Sequence, residues 1–174
     1  MFELIVAHDN ERGIAKNGTI PWNIKEDMKF FREKIINNAI IMGKNTFFSL
    51  PHQQPLPKRL NIVLTRNPEI YKSYEEMYSN VFFTSDENIH LIIENNKEIF
   101  SKKYNLLPNF FIFFIGGNEI YKKYVPICNR LWITTINNKY NCDLFLSIDI
   151  DEKYYDSEII IKCKDFTITK FEKK

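Results

Sequence analysis

Four short apolar runs set the rhythm of the chain. Glu3–Ala7 (ELIVA), Ala39–Gly43 (AIIMG), Asn61–Thr65 (NIVLT) and Phe110–Gly117 (FFIFFIGG) are apolar at nearly every position, without the alternation of a half-exposed strand. Such runs suit parallel strands covered by helices on both faces. Between them the spacing predicts helices over Ile24–Ile36, Lys44–Leu50, Asp86–Tyr104 and Asn118–Val125, the last one halted by Pro126. The character then changes. Arg130–Ile136 (RLWITTI) reads as a strand, and EIIIKC and FTITKF flank Lys164–Asp165 as two strands joined by a tight turn. Strand–helix alternation followed by a hairpin predicts an α/β fold whose mixed sheet is mostly parallel, with an antiparallel edge.

The first helix carries an oddity. It follows the loop in Gly13–Phe31, GIAKNGTIPWNIKEDMKFF. Asn23 with Glu26 three residues later predicts a capping box and a helix start at Ile24. On a helical projection Ile24, Met28, Phe31 and Ile35 form one stripe, roughly 60° wide. Asp27 falls beside that stripe, between Phe31 and Phe30, while Glu26 and Glu33 project from the opposite face. An unpaired carboxylate is costly to bury, and burial raises its pKa. Two readings stand level: a paired aspartate at the core edge, with Lys34 in reach, or an acid poised near neutral pH in an aromatic pocket.

Composition narrows the classes. The 174 residues suit a single domain over 1–174 with a sizeable core, and no linker or second domain is visible. The 24 basic and 22 acidic residues leave a net charge of +2, without a basic block, so neither nucleic acid nor a membrane surface is an expected partner. Phe110–Ile115 is far too short to span a bilayer, and the N-terminus lacks the pattern of a signal peptide. Cys128, Cys142 and Cys163 are odd in number and widely spaced, which predicts buried or half-buried free thiols in a reducing, cytoplasmic setting. No metal is expected. The five glycines, Gly13, Gly18, Gly43, Gly116 and Gly117, fall in three segments. Two of these segments are strand ends leading into helices, where open α/β sheets bind ligands. The plainer reading is that glycine makes turns.

The ordered series LIVA, GIAKNGTIPWNIKEDMKFF, IIMGKNTFFSL, PLPKRLNIVLTRN, FFIGGNEIYKKYVP and LWITTI resembles dihydrofolate reductase over nearly the whole chain. The resemblance implies a central eight-stranded mixed sheet with flanking helices, a monomer, and reduction of 7,8-dihydrofolate by NADPH. It makes Asp27 the carboxylate that holds the pterin and promotes protonation at N5, with Thr134 tying it to the pterin and Trp22 orienting a water. Ile5, Phe31, Leu50, Leu56 and Ile115 become walls of the folate pocket, and Arg59 the grip on the glutamate α-carboxylate. Arginine suits that bidentate task, and it is the rarer base here, with 5 Arg against 19 Lys. For the cofactor the resemblance implies Ala7, Gly13, Ile14 and Gly18 beside the nicotinamide, and Gly43, Lys44, Asn45 and Thr46 at a phosphate-binding helix start. Thr65 and Arg66 lie on the adenosine side, Arg66 and Lys44 holding a 2′-phosphate. Gly116, Gly117, Asn118, Glu119, Ile120 and Tyr121 wrap the pyrophosphate, with a cis peptide between the two glycines.

Three positions depart from the family pattern. Ala15 stands where a second glycine often follows the isoleucine, and Ala39 replaces a common proline. Asp143 matches, but its surroundings, CDLFLSI, do not, which puts its bond to the closing loop in question. Two alternatives share the fold: a riboflavin-pathway reductase, which needs neither Arg59 nor the Pro21-Trp22-to-Asp27 helix, and a non-catalytic folate- or NADPH-binding homologue.

Overall fold

The computed structural model describes residues 1–174. Eight strands form one sheet in the order β5-β4-β3-β6-β1-β7-β10-β9. They are β1 (Phe2–His8), β3 (Ala39–Gly43), β4 (Leu60–Leu64), β5 (Val81–Thr84), β6 (Ile112–Phe114), β7 (Arg130–Ile136), β9 (Tyr155–Lys162) and β10 (Phe166–Lys173). A second, two-stranded sheet pairs β2 (Gly13–Ala15) with β8 (Leu144–Phe145). The large sheet is parallel from β5 to β7, and β10 and β9 close it as an antiparallel hairpin. The mixed sheet, its eight strands and its hairpin edge are as expected.

The apolar runs end up central because they are apolar on both sides. Phe110, Ile112, Phe113 and Phe114 are all fully buried. Phe113 faces one core with Ile5, Ile40, Met42, Val63 and Trp132. Phe114 faces the other and stacks on Tyr124, with ring centroids 4.3 Å apart. Glu3, though in a buried strand, is only 1% exposed; it accepts from the Trp132 indole at 2.8 Å and from Arg130 at 3.3 Å.

The helices differ in detail from the spacing. α1 spans Lys25–Ile35, with Ile24 as its N-cap and no side-chain capping bond, so the Asn23–Glu26 box does not form. The segment Asp86–Tyr104 is two helices, α4 (Ile89–Asn95) and α5 (Lys97–Tyr104), because Asn96 leaves helical geometry at φ −124°, ψ 34°. α2 (Lys44–Ser49) and α6 (Asn118–Tyr124) follow the ends of β3 and β6. α3 (Lys72–Met77) and β5, which the apolar pattern does not announce, fill the interval Lys72–Thr84. Cys128 is buried and Cys142 half-buried, but Cys163 is exposed in the hairpin turn, contrary to expectation. No helix is long and apolar enough to cross a membrane.

Candidate active site

α1 lays its buried side on the sheet, and Asp27 belongs to that side. Asp27 is 6% exposed and Met28 36%. The inward face reads Asp27, Phe30, Phe31, Lys34 and Ile35, which is the i, i+3, i+4, i+7, i+8 pattern of a packed helix. The stripe through Ile24 and Met28 is therefore rotated from the true one, and Asp27 stands in the contact face rather than beside it. Lys34 is not its partner: its ammonium sits over the Trp132 ring, 3.6 Å from the centroid. Burial raises the Asp27 carboxyl above its ordinary value, and the Thr134 side chain pulls the other way.

Thr134 is 3% exposed on β7, in register with Ala7 of β1. The five expected folate walls gather on the same face of the sheet. Ile5 and Ile115 are buried in one cluster, and Phe31, Leu50 and Leu56 pack against it. Trp22, 5% exposed, packs with Ile136, Phe166 and Ile168, and meets Tyr140 edge-on at 5.5 Å. Asp27 thus has an aromatic and aliphatic surround, one hydroxyl-bearing neighbour and no cation within ion-pairing distance.

Arg59 is 7% exposed, and its guanidinium donates to the carbonyls of Pro57 (2.7 Å) and Arg32 (2.5 Å). Its Nε is buried without a partner. Leu56, three residues before it on the loop, is pinned by Asn61. The Leu56 N–H donates to Asn61 Oδ1 and Asn61 Nδ2 to the Leu56 carbonyl, both at 3.0 Å. The sequence signal for this role is a lone amide in the otherwise apolar run Leu60–Leu64; in the fold it is fully buried and bonded.

At the C-terminal edge of the sheet the glycine turns meet. The Gly43 N–H donates to the Gly116 carbonyl at 2.8 Å, joining the starts of α2 and α6. The Gly116–Gly117 peptide is cis. A Cβ on Gly116 would stand 2.9 Å from the Tyr121 hydroxyl, and φ there is +116°, so a side chain is excluded twice over. Tyr121 donates to the Ile5 carbonyl at 3.0 Å, which carries it under the glycine pair; its phenol is pushed up by burial.

The other expected cofactor residues divide. Ala7, Gly13 and Ile14 lie at the end of β1 and in β2, while Thr46 and Thr65 are half-buried beside the glycine turns. Lys44, Asn45, Arg66 and Glu119 are exposed at the rim, and Ile120 is buried beneath it. Asn118 is tied to Ser147, which it meets at 2.8 Å through Oγ and 3.0 Å through the backbone N–H. Gly18 sits at the exposed loop tip with φ +79° and nothing within 4 Å of where a Cβ would be, so the turn itself accounts for it.

These features define an open α/β domain. Beside the sheet it buries a carboxylate next to an aromatic and aliphatic cluster, and at the strand ends stand glycine turns suited to an anionic ligand. Comparison with known proteins carries this further. Residues 1–165 match the family model described as "Dihydrofolate reductase". The dihydrofolate reductase of Drosophila melanogaster is 31% identical, with 99% of this chain and 95% of that one covered. That of Aedes albopictus is 34% identical over 83% of this chain and 77% of its own. The bifunctional dihydrofolate reductase-thymidylate synthase of Zea mays is 29% identical over 92% of this chain, which spans 32% of that protein's length. A solved dihydrofolate reductase from Enterococcus faecalis, complexed with NADP(H) and RAB-propyl, superposes with a TM-score of 0.70 at 25% identity, covering 99% of this chain and 96% of its own. The chain belongs to the dihydrofolate reductase family.

Proposed function

We propose that this chain reduces 7,8-dihydrofolate to 5,6,7,8-tetrahydrofolate with NADPH. The observation that carries the reading is Asp27: a buried carboxylate without a cation, on the sheet face where Ile5, Phe31, Leu50, Leu56 and Ile115 cluster. A carboxylate so placed pairs with neutral N–H donors, such as the N3–H and 2-amino group of a pterin, and leaves the rest of the ring to apolar contact. Holding those donors raises the proton affinity of the pterin at N5. Thr134 orients the carboxylate from the neighbouring strand, and Trp22 orients a water for it. Arg59 has guanidinium donors beyond the two used on Pro57 and Arg32, and these grip the terminal carboxylate of the substrate.

The residues also fit a dinucleotide. Gly43 and Gly117 leave open the turns where α2 and α6 begin, the nearest atom to a Cβ at Gly117 being Thr46 Oγ1 at 3.7 Å. Lys44 and Arg66 stand exposed at the rim, placed to hold a 2′-phosphate. NADPH, when bound, supplies the hydride. The Ala7 and Ile14 backbones hold its carboxamide, and Ile14 helps to exclude water. We assign these roles to a monomer acting in the cytoplasm without nucleic acid.

The test is steady-state turnover of dihydrofolate with NADPH and with NADH, for the protein and for Asp27→Asn. NADPH-dependent activity that falls about 10²- to 10⁴-fold in the variant is expected for a group that governs proton delivery. Equal activity of the two proteins at neutral pH would overturn the role of Asp27.

A further inference from the structure

Asp9 is not among the residues assigned above, yet it is the most completely enclosed carboxylate in the fold, at 0% exposure. Each of its oxygens serves a different segment. Oδ1 accepts the N–H groups of Glu11 (2.9 Å) and Gly13 (2.7 Å), closing the turn that leads into β2. Oδ2 accepts the Tyr140 N–H (3.1 Å) and the Cys142 thiol (3.6 Å), more than 130 residues away in the segment before β8. The backbone adds to the same turn, with Asp9 N–H donating to the Gly13 carbonyl at 2.8 Å and Arg12 N–H to the Asp9 carbonyl at 3.0 Å. The two segments touch without spare room: a Cβ on Gly13 would lie 2.4 Å from Cys142 Cβ. Immediately beyond, β2 and β8 pair, Gly13 opposite Phe145 and Ala15 opposite Leu144.

On the functional reading above, the loop between Gly13 and Trp22 covers the nicotinamide side of the site. Gly13, its first residue, is bonded to Asp9. Trp22, its last, rests edge-on against Tyr140, whose N–H is bonded to Asp9 as well. One carboxylate therefore holds the first foot of the loop directly and reaches the second through Tyr140.

We propose that Asp9 is a positioning residue for the cofactor half of the site, a clamp that sets where the Gly13–Trp22 loop leaves and rejoins the body of the protein. The inference rests on the functional reading above, since it takes that loop to lie over the nicotinamide. No ion pair in the structure includes Asp9, so its charge is balanced by N–H and S–H donors alone. Burial acts against that charge, but the backbone N–H groups of Gly13, Tyr140 and Glu11 outweigh it, and the carboxyl is held below its ordinary value. An asparagine has the same shape but turns an NH₂ towards one of the two donor sets, so it opens one side of the clamp.

The experiment compares the wild-type chain with Asp9→Asn by NADPH fluorescence binding, dihydrofolate binding and amide exchange in the ligand-free protein. It adds the primary deuterium isotope effect on single-turnover hydride transfer. The expected result is NADPH affinity weakened by about tenfold, the scale of one or two charge-assisted hydrogen bonds, with dihydrofolate affinity within about twofold of wild type. Exchange at Glu11, Gly13 and Tyr140 rises together, and the isotope effect increases as the nicotinamide loses its fixed distance. Equal weakening of both ligands, or a lowered melting temperature with both affinities unchanged, overturns the proposal. Gly13→Ala forces the same junction apart without altering charge. If Asp9→Asn does not fold, an NADPH-selective loss in Gly13→Ala supports the clamp and an unselective loss overturns it. Failure of the functional reading shows separately, as absence of turnover in the wild type. The clamp is then judged on NADPH binding and exchange alone.

Discussion

Asp27 and Thr134 approach from opposite supports, a helix and a strand, and act on one proton in opposite senses. Burial raises the affinity of the Asp27 carboxyl for its proton, and Thr134 favours the charged form. Thr134→Val removes the opposing influence and leaves the burial. The acidic limb of the pH–rate profile should then move to higher pH, measured as kcat/KM for dihydrofolate across pH 5 to 9. A profile that stays in place would show that Thr134 does not act on the carboxyl. The same raised affinity has a stability sign. The unfolded carboxyl ionises first, from its ordinary value of 3.8, so the native state loses stability as pH rises from there through the folded value. Asp27→Asn should accordingly lose activity but unfold at a higher denaturant concentration at neutral pH.

His90 gives the opposite slope. It is 6% exposed among Phe2, Phe114 and Tyr124, and its Nδ1 has no partner. Burial lowers its pKa from 6.5, while a backbone bond with Glu87 works the other way. The native ring stays neutral where the unfolded one takes a proton, so stability falls as pH drops below 6.5 towards the folded value. His8, also lowered by burial, adds in the same sense. Urea midpoints at pH 7.5 and 5.5 should differ in the wild type and differ less in His90→Leu. An unchanged difference would remove His90 from the account.

Phe113 tests the centre of the sheet. β6 is paired by β3 on one side and β1 on the other, and Phe113 is fully buried with Ile5, Met42 and Trp132 around it. Phe113→Ala should cost about 3–5 kcal/mol in unfolding free energy, from lost burial and the cavity left behind. Phe111, only partly buried beside it, should cost less. A loss below about 1 kcal/mol at Phe113 would contradict the packing.

Those contrasts also show what the sequence made legible. β1, β3, β4 and β6 were readable because strands covered on both faces leave unbroken apolar runs. Asp27 was readable as an anomaly, but its facing was not. The doublet Phe30-Phe31 supports two projections, and only packing on the sheet chooses the one that buries Asp27 and exposes Met28. α3 is six residues long and, unlike the equally short α2, does not directly follow an apolar strand run that marks where it begins. Asp9 was illegible for a different reason. It stands in the polar stretch His8–Arg12, which reads as an exposed turn, and its distant partners, Tyr140 and Cys142, come together only in the fold. Local pattern does not report contacts of that range.

Arg59 is buried with two donors used on backbone carbonyls and an Nε left over. Arg59→Lys keeps the charge but not the planar fork. Loss of one charge-assisted hydrogen bond is worth about 1.5–3 kcal/mol, which is roughly 10- to 100-fold in dissociation constant. The loss should appear for dihydrofolate and be absent for a pterin substrate lacking the glutamate tail. Equal loss for both would place Arg59 in the scaffold rather than at the substrate carboxylate.

Asp143 resolves the departure around CDLFLSI. Although its neighbours differ from the family run, Asp143 Oδ2 accepts the Asn17 N–H at 2.8 Å, and its own N–H donates to the Ala15 carbonyl at 3.0 Å. The carboxylate thus holds the tip of the Gly13–Trp22 loop near Ala15, which stands where the family pattern has a second glycine. The first bond depends on the side chain and the second does not, so Asp143→Ala removes one tether and leaves the other. The contact is exposed, and a single such bond contributes about 0.5–1.5 kcal/mol. NADPH should therefore leave the variant up to about tenfold faster in stopped-flow competition, with dihydrofolate affinity unchanged. If release is as slow as in the wild type, the remaining bond at Ala15 and the β2–β8 pairing are enough to hold the loop, and the side chain of Asp143 has no part in retaining the cofactor.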